Sequence, residues 1–226
     1  MGKKVCVVTW YGGTNYGTNL QAYALVKKLN LMGYTATIKG DIKNNINYFF
    51  HPSIVLDRIR YKLNNKFLEN NSNPNSEDDK KIELFRKFVN EIPKLNSYRK
   101  SEWESVKKEY AAFITGSDQV WNPNYFQGAM MLDFVTSGEI KKIAYAPSIG
   151  VNNLSVKIQH KYKKLLKNYC AVSVREEKAA ELLKDISPVP VQVVLDPTML
   201  LTYEEWDELA DKAVIQNKWN TKKNFV

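Results

Sequence analysis

Four short clusters in this sequence carry residue types that could hold or transform a ligand. Gly12-Gly13-Thr14-Asn15-Tyr16-Gly17, with Asn19 close behind, is rich in glycine and amide side chains. Glycine lets a backbone turn tightly and approach a ligand closely. If a helix follows, its free N–H groups and partial positive charge make a seat for an anion. The spacing is not G-x-G-x-x-G and no G-K-[ST] follows, so neither a dinucleotide site nor a Walker loop is supported. A plain strand-to-helix turn capped by Thr18 or Asn19 fits the same residues.

Gly116-Ser117-Asp118-Gln119 sets a hydroxyl, a carboxylate and an amide side by side, with Trp121 and Asn122 just beyond. Asp118 could act as a general base or orient a sugar hydroxyl, and Trp121 could stack on a sugar ring. The competing reading is a turn in which Asp118 caps backbone N–H groups and Trp121 fills the core. Arg175-Glu176 offers a planar guanidinium suited to phosphate or carboxylate, or else to an ion pair with a neighbouring loop. Asp196-Pro197-Thr198 is the fourth cluster, and its simpler role is to lead into a helix capped by Thr202 ahead of Glu204-Glu205. No histidine adjoins Ser117 and no G-x-S-x-G occurs, so a hydrolase triad is poorly supported. His51 and His160 read as solvated residues. Cys6 and Cys170 sit in apolar strand-like runs, where Cys170 reads as inert, which leaves no disulfide scaffold and no thiolate metal site.

The elements that must position these clusters alternate along the chain. Apolar runs at 4–10, 35–39, 111–115, 142–146, 169–174 and 189–195 read as buried strands. Helical spacing occupies 20–32, 54–67, 80–89, 155–167, 177–184 and 204–214, with Gly33 a natural stop for the first. Between the second and third of these, 69–79 is a polar loop, and the stripe of Phe85, Phe88 and Val89 is core packing. A strand, a glycine loop, a helix and a strand within the first forty residues define a βαβ unit and hence a parallel sheet. Each of the four clusters follows a strand, and ligands of open α/β sheets sit outside the carboxyl ends of the strands. The chemistry is therefore expected along that one edge.

Composition narrows the partners. With 44% hydrophobic and 25% charged residues, the chain of 226 residues is globular and not disordered. No apolar run approaches the ~20 residues of a membrane span, and the opening run is too short for a secretory signal. With the two cysteines, this reads as a protein of a reducing cytoplasm. The net charge of +9 suits an anionic partner, but the lysines are scattered and no arginine-rich tract occurs, so nucleic acid is not expected.

Five blocks, in order, resemble the polysaccharide pyruvyl transferase family. They are Gly13-Thr14-Asn15-Tyr16-Gly17 with Leu20-Gln21-Ala22-Tyr23-Ala24-Leu25, then Gly116 through Pro123, Tyr145-Ala146-Pro147-Ser148-Ile149-Gly150, Ser173-Val174-Arg175-Glu176, and Leu195 through Leu201. The resemblance implies an open, mostly parallel Rossmann-like sheet flanked by helices, as in the N-terminal lobe of a GT-B-like two-lobed transferase. That lobe would span 1–201, with a helical, partly loop-rich insertion at 42–110, and 202–226 would be a helix and polar linker toward a second lobe. It implies transfer of a pyruvyl ketal from phosphoenolpyruvate to a sugar of a cell-surface polysaccharide or its lipid-linked precursor, with no cofactor and no metal. Asp118 and Arg175 would be catalytic. Gly12, Gly13, Thr14, Asn15, Tyr16, Gly17, Asn19, Gly116, Ser117, Gln119, Trp121, Asn122, Ser148, Gly150 and Glu176 would contact substrate. The family's donor-binding histidine and arginines lie largely in the second lobe, so the sequence given reads as the N-terminal half. A second-lobe partner, a homodimer and a peripheral membrane contact stay open as partners. A nucleotide-sugar glycosyltransferase of the same architecture and a non-catalytic binding lobe are the alternative functions.

Overall fold

The computed structural model describes residues 2–12, 15–39, 77–95, 104–136 and 138–217. The helical spacing at 54–67, most of the polar stretch at 69–79, His51, Gly13 and Thr14 lie outside them. Among the described residues seven strands form one sheet. They are β1 (Lys4–Val8), β2 (Thr35–Lys39), β3 (Lys94–Leu95), β4 (Ala112–Thr115), β5 (Lys141–Ala144), β6 (Tyr169–Val174) and β7 (Val191–Val193). The order is β3-β2-β1-β4-β5-β6-β7 and every pairing is parallel. The fold is therefore an open Rossmann-like α/β sheet, as expected.

A parallel sheet with both faces covered buries every residue of its central strands, which is why β1 and β4 read as unbroken apolar runs. Alternation sorts them. Cys6, Val8 and Phe113 enter one core, while Val5, Val7, Ala112 and Ile114 enter the other. The second core is closed by α1 (Tyr16–Leu31) through Ala22, Leu25 and Val26. α2 (Glu77–Glu91) lies between β2 and β3, with Phe85 buried. The first core is closed by α3 (Val156–Leu166) through Tyr162 and Leu166, and by α4 (Glu177–Leu183) through Ala179 and Leu183. α5 (Tyr203–Asn217) follows and opens with the expected capping box: Glu205 N–H donates to Thr202 Oγ1 and Thr202 N–H to Glu205 Oε2.

Several details depart from the sequence reading. α1 begins at Tyr16 and not at Leu20, and its cap is Asn15, whose Oδ1 accepts from Thr18 N–H at 3.0 Å. Neither Thr18 nor Asn19 caps it, because Gly17, Thr18 and Asn19 are already helical. β3 is an edge strand of two residues, too short to show any periodicity. Cys170 is exposed on β6, next to the buried Tyr169, and its Sγ donates to Lys142 O at 3.3 Å. Cys6 is the buried thiol, and burial pushes it up to about 12.

The segment after β4 packs into the first core around Trp121. Its indole is wholly buried, donates N–H to Met130 O at 3.1 Å and meets Tyr169 edge-on. The Tyr162 hydroxyl donates to Trp121 O at 2.5 Å, fastening α3 to the same spot. Truncating a buried Trp removes its transfer energy and leaves a cavity, so Trp121→Ala is expected to cost about 3–5 kcal/mol. Urea denaturation followed by circular dichroism reads this directly, and a loss under about 1 kcal/mol would show that the segment is not integral to the core.

Candidate active site

In a doubly wound sheet the crevice opens where the strand order reverses, since the loops leaving the two central strands part to opposite faces. Here that point lies between β1 and β4. The loop after β1 carries Gly12 and leads into α1, and the loop after β4 carries Gly116 through Asn122. The loops after β5, β6 and β7 bring Ser148, Arg175 and Asp196 to the same edge.

Two backbone conformations shape the crevice. Gly116 has φ +107°, and a Cβ there would lie 2.1 Å from Tyr145 O, so no larger residue fits between the β4 and β5 exits. Asp118 holds φ +71°, a region that asparagine and aspartate tolerate better than other residues and that costs on the order of 1 kcal/mol. The result is a tight knuckle that lifts Asp118 and Gln119 out of the sheet.

Side chains hold the knuckle in place. Gln21, on α1 and buried, donates through Nε2 to Thr18 O at 2.8 Å, Trp10 O at 3.1 Å and Thr9 Oγ1 at 3.3 Å. Its Oε1 accepts the Ser117 N–H at 3.1 Å, and Thr9 Oγ1 donates to Ser117 O at 2.8 Å. Asp118 accepts from the Thr18 hydroxyl at 2.8 Å through Oδ2 and from Gln119 N–H at 2.7 Å through Oδ1. Its carboxylate thus sits against the first turn of α1, a turn with no acidic residue of its own. Asn19 Oδ1 accepts the Gly12 N–H at 2.7 Å and folds the first loop back onto α1.

On the other side, Arg175 Nη1 donates to Asp196 Oδ2 at 3.0 Å, and Ser117 Oγ lies 3.3 Å from the same oxygen. Asp196 Oδ1 accepts both the backbone N–H and the hydroxyl of Thr198, at 3.0 and 2.8 Å. Burial disfavours the Asp196 charge, but these hydrogen bonds and the Arg175 guanidinium outweigh it and hold the carboxyl below its ordinary range. Ser148 binds the Glu176 carboxylate through its hydroxyl, and its backbone N–H donates to Asp118 O at 2.8 Å. The other Glu176 oxygen is buried and unpartnered.

The structure therefore brings Asp118, Gln119, Arg175 and Glu176 to one edge, with Gly12 beside them. Gln119 is exposed, Asp118 is half-buried, and the Arg175 side chain keeps about a third of its surface, 33%. Asn15 is spent on capping, while Tyr16 is 61% exposed and packs its ring at a tilt against Phe85. Trp121 is corrected: it is a core residue with no surface to offer a sugar. Asn19, Ser117, Asn122 and Ser148 are also buried, and each makes a hydrogen bond that helps to position the rim. Gly150 lies against the Gln119 and Asn122 amides, and Gly17 is helical. The sequence assigns no site role to Gln21 or Thr9, reads Thr18 only as a helix cap, and leaves Asp196 between binding a ligand and leading into the next segment. Gln21 had a legible signal, a polar residue four before Leu25 on the apolar face of α1.

Fold and rim together define an open α/β protein with a polar ligand edge at its topological switch point. A family model for polysaccharide pyruvyl transferase matches residues 15–224, nearly the whole chain, and the chain belongs to that family, a family of transferases. No curated protein and no solved structure matches it. Among the described residues no helix is long and apolar enough to cross a membrane, and no group of three or more histidine, cysteine or acidic side chains could hold a metal ion.

Two outcomes follow from the geometry. Gln21→Leu strands the buried Ser117 N–H, and an unpaired buried donor costs about 1–3 kcal/mol; a urea midpoint within error of wild type would remove Gln21 from this role. The second concerns acid. The stability Asp196 supplies is complete above the ordinary carboxyl value of 3.8 and is lost as pH falls through its lower folded value. Wild type is therefore expected to exceed Asp196→Asn near neutrality, and the gap is expected to close as pH falls below 3.8 and through the lower folded value. Denaturation midpoints of both proteins across that range test this, and a constant gap would exclude Asp196 as the titrating group.

Proposed function

We propose that the chain takes part in transfer of a pyruvyl group from phosphoenolpyruvate to a sugar of a polysaccharide or its precursor, with the carboxyl-edge rim as its contribution to the site. The reaction protonates the methylene carbon of the enol phosphate. Two sugar hydroxyls add to the cationic centre, losing their protons, and phosphate leaves, so that a cyclic ketal remains. The site must therefore hold a carboxylate and a phosphate and must receive protons from hydroxyls.

The rim suits two of these tasks. Arg175 is fixed by Asp196 through one nitrogen, and a guanidinium has five N–H donors, so it keeps donors for an anionic donor substrate. Asp118 presents a carboxylate beside the exposed Gln119 amide, a pair fitted to orient and deprotonate a sugar hydroxyl. Gly12 and the first turn of α1 complete the lining. The observation that carries this reading is the coupling of Asp118 and Arg175: Ser117, the neighbour of one, and the guanidinium of the other meet at one Asp196 oxygen.

Phosphoenolpyruvate is expected to raise the melting temperature of the protein saturably, since a ligand of the folded state alone stabilises by mass action. Arg175→Ala should abolish the shift. In a pyruvylation assay that follows phosphate release and ketal formation, Asp118→Asn and Arg175→Ala should each lose at least about tenfold without unfolding. Wild-type rates in both variants would overturn the assignment. A shift with a uridine diphosphate-sugar and none with phosphoenolpyruvate would replace it with nucleotide-sugar glycosyl transfer.

A further inference from the structure

The outer face of α3 is a separate feature that the rim does not use. Its sequence from Val156 to Leu166 holds no acidic residue. Tyr162 and Leu166 face the core, while Lys157, Lys163, Lys164 and the following Lys167 are exposed on the opposite side. Among the described residues none of these four has a carboxylate in ion-pair range. Lys161 joins the same face, with its ammonium 3.3 Å from the centre of the Phe126 ring. Burial and the nearby Lys157 push it downward, against the pull of Asp133. Like charges four apart on a helix destabilise it, so this face carries a self-repulsion that a glutamate among the lysines would have relieved.

The helix does not depend on that face for its place. Tyr162 bonds Trp121 O, and the buried Lys142 of β5 donates to Leu165 O at 3.1 Å. Joining two parallel neighbours, α3 runs back from the carboxyl edge of the sheet, so its first turn starts beside the candidate site. In that first turn, within the lysine face, Val156 is 67% exposed.

We infer that the lysine face of α3 is a docking surface for an anionic phospholipid bilayer. Four free ammonium groups on flexible stems match a fluid layer of phosphates, and exposed Val156 can enter the headgroup boundary. The face has no arginine to make bidentate contacts to phosphates or bases, and its one exposed ring, His160, is tied by Nδ1 to Val156 O at 2.9 Å, which sets it apart from a nucleic-acid surface with its arginines and stacking platforms. Docking here brings the carboxyl-edge rim alongside the bilayer surface, whatever reaction the rim performs.

The test is flotation of the full chain with vesicles of phosphatidylcholine alone or mixed with phosphatidylglycerol, at about 0.1 M salt, where charges still act over about 10 Å. Wild type is expected to float with the mixed vesicles only and to be released by high salt. Each lysine near an anionic surface multiplies partitioning about fivefold, so K157Q/K163Q/K164Q/K167Q should weaken binding by at least about a hundredfold with its melting temperature unchanged. A control, K3Q/K108Q/K141Q/K184Q, removes the same charge from exposed positions elsewhere and should keep most of the binding. Equal loss in both variants would mean net charge and not this face, and it would overturn the inference. So would failure of wild type to float, flotation with neutral vesicles, or tighter binding to duplex nucleic acid than to the mixed vesicles.

Discussion

The rim depends on satisfying polar groups that its own folding buries. Where β1 and β4 end side by side, their exit loops turn away from the sheet and can no longer pair strand to strand. The Ser117 N–H and the Trp10 carbonyl have no strand to pair with there, and the Thr9 hydroxyl is buried beside them. One side chain, Gln21, reaches these three groups and the Thr18 carbonyl of its own helix. A buried amide is costly unless its donors and acceptor are matched, and here they are. The same contacts fix the distance from the first turn of α1 to the β4 knuckle. That placement brings the Thr18 hydroxyl within hydrogen-bond reach of the Asp118 carboxylate.

A second anchor works from the opposite flank. Asp196 gathers the Arg175 guanidinium, the Ser117 hydroxyl and two donors from Thr198 around one carboxylate. Four strand exits are thereby cross-linked through polar side chains: β1 through Thr9 and Gln21, β4 through Ser117, β6 through Arg175, and β7 through Asp196. Glu176 and Ser148 add the fifth, from β5. Networks of this kind rigidify when every member is paired, and the rim pairs nearly all of its members. The buried second oxygen of Glu176 is the exception.

The parts of this arrangement were unequally legible from sequence. The sheet could be read because a doubly covered parallel sheet demands unbroken apolar strands, and Val5 to Val8 and Ala112 to Ile114 are such runs. That the clusters share an edge also followed, because each comes just after a strand. Distance in sequence hid the rest. Nothing in Gln21, Ser117 or Asp196 taken singly says that they converge from positions 21, 117 and 196, since that convergence is set by strand order. Trp121 is ambiguous in sequence for a related reason. An aromatic beside a polar knuckle stacks on a ligand or fills the core according to which way the following chain turns, and here the turn at Met130 takes it inward. The start of α1 was placed late because Tyr16-Gly17-Thr18-Asn19 has poor helix propensity, which the Asn15 cap and packing overcome.

Charge at the rim bears on how a transferase site could divide its labour. The ionisable side chains hydrogen-bonded into it are Asp118, Glu176 and Asp196 against the single guanidinium of Arg175. A multiply anionic donor would meet repulsion from Asp118 unless it lay on the Arg175 flank, where Asp196 already shares its charge with Arg175 and Thr198. Neutral hydroxyls have no such difficulty, and the exposed Gln119 amide beside Asp118 gives them both a donor and an acceptor. On the reaction proposed above, electrostatics therefore orders the crevice from acceptor at the β4 knuckle to donor at the β6 exit. The positive end of α1 closes it on the β1 side, where Asp118 already leans on the first turn.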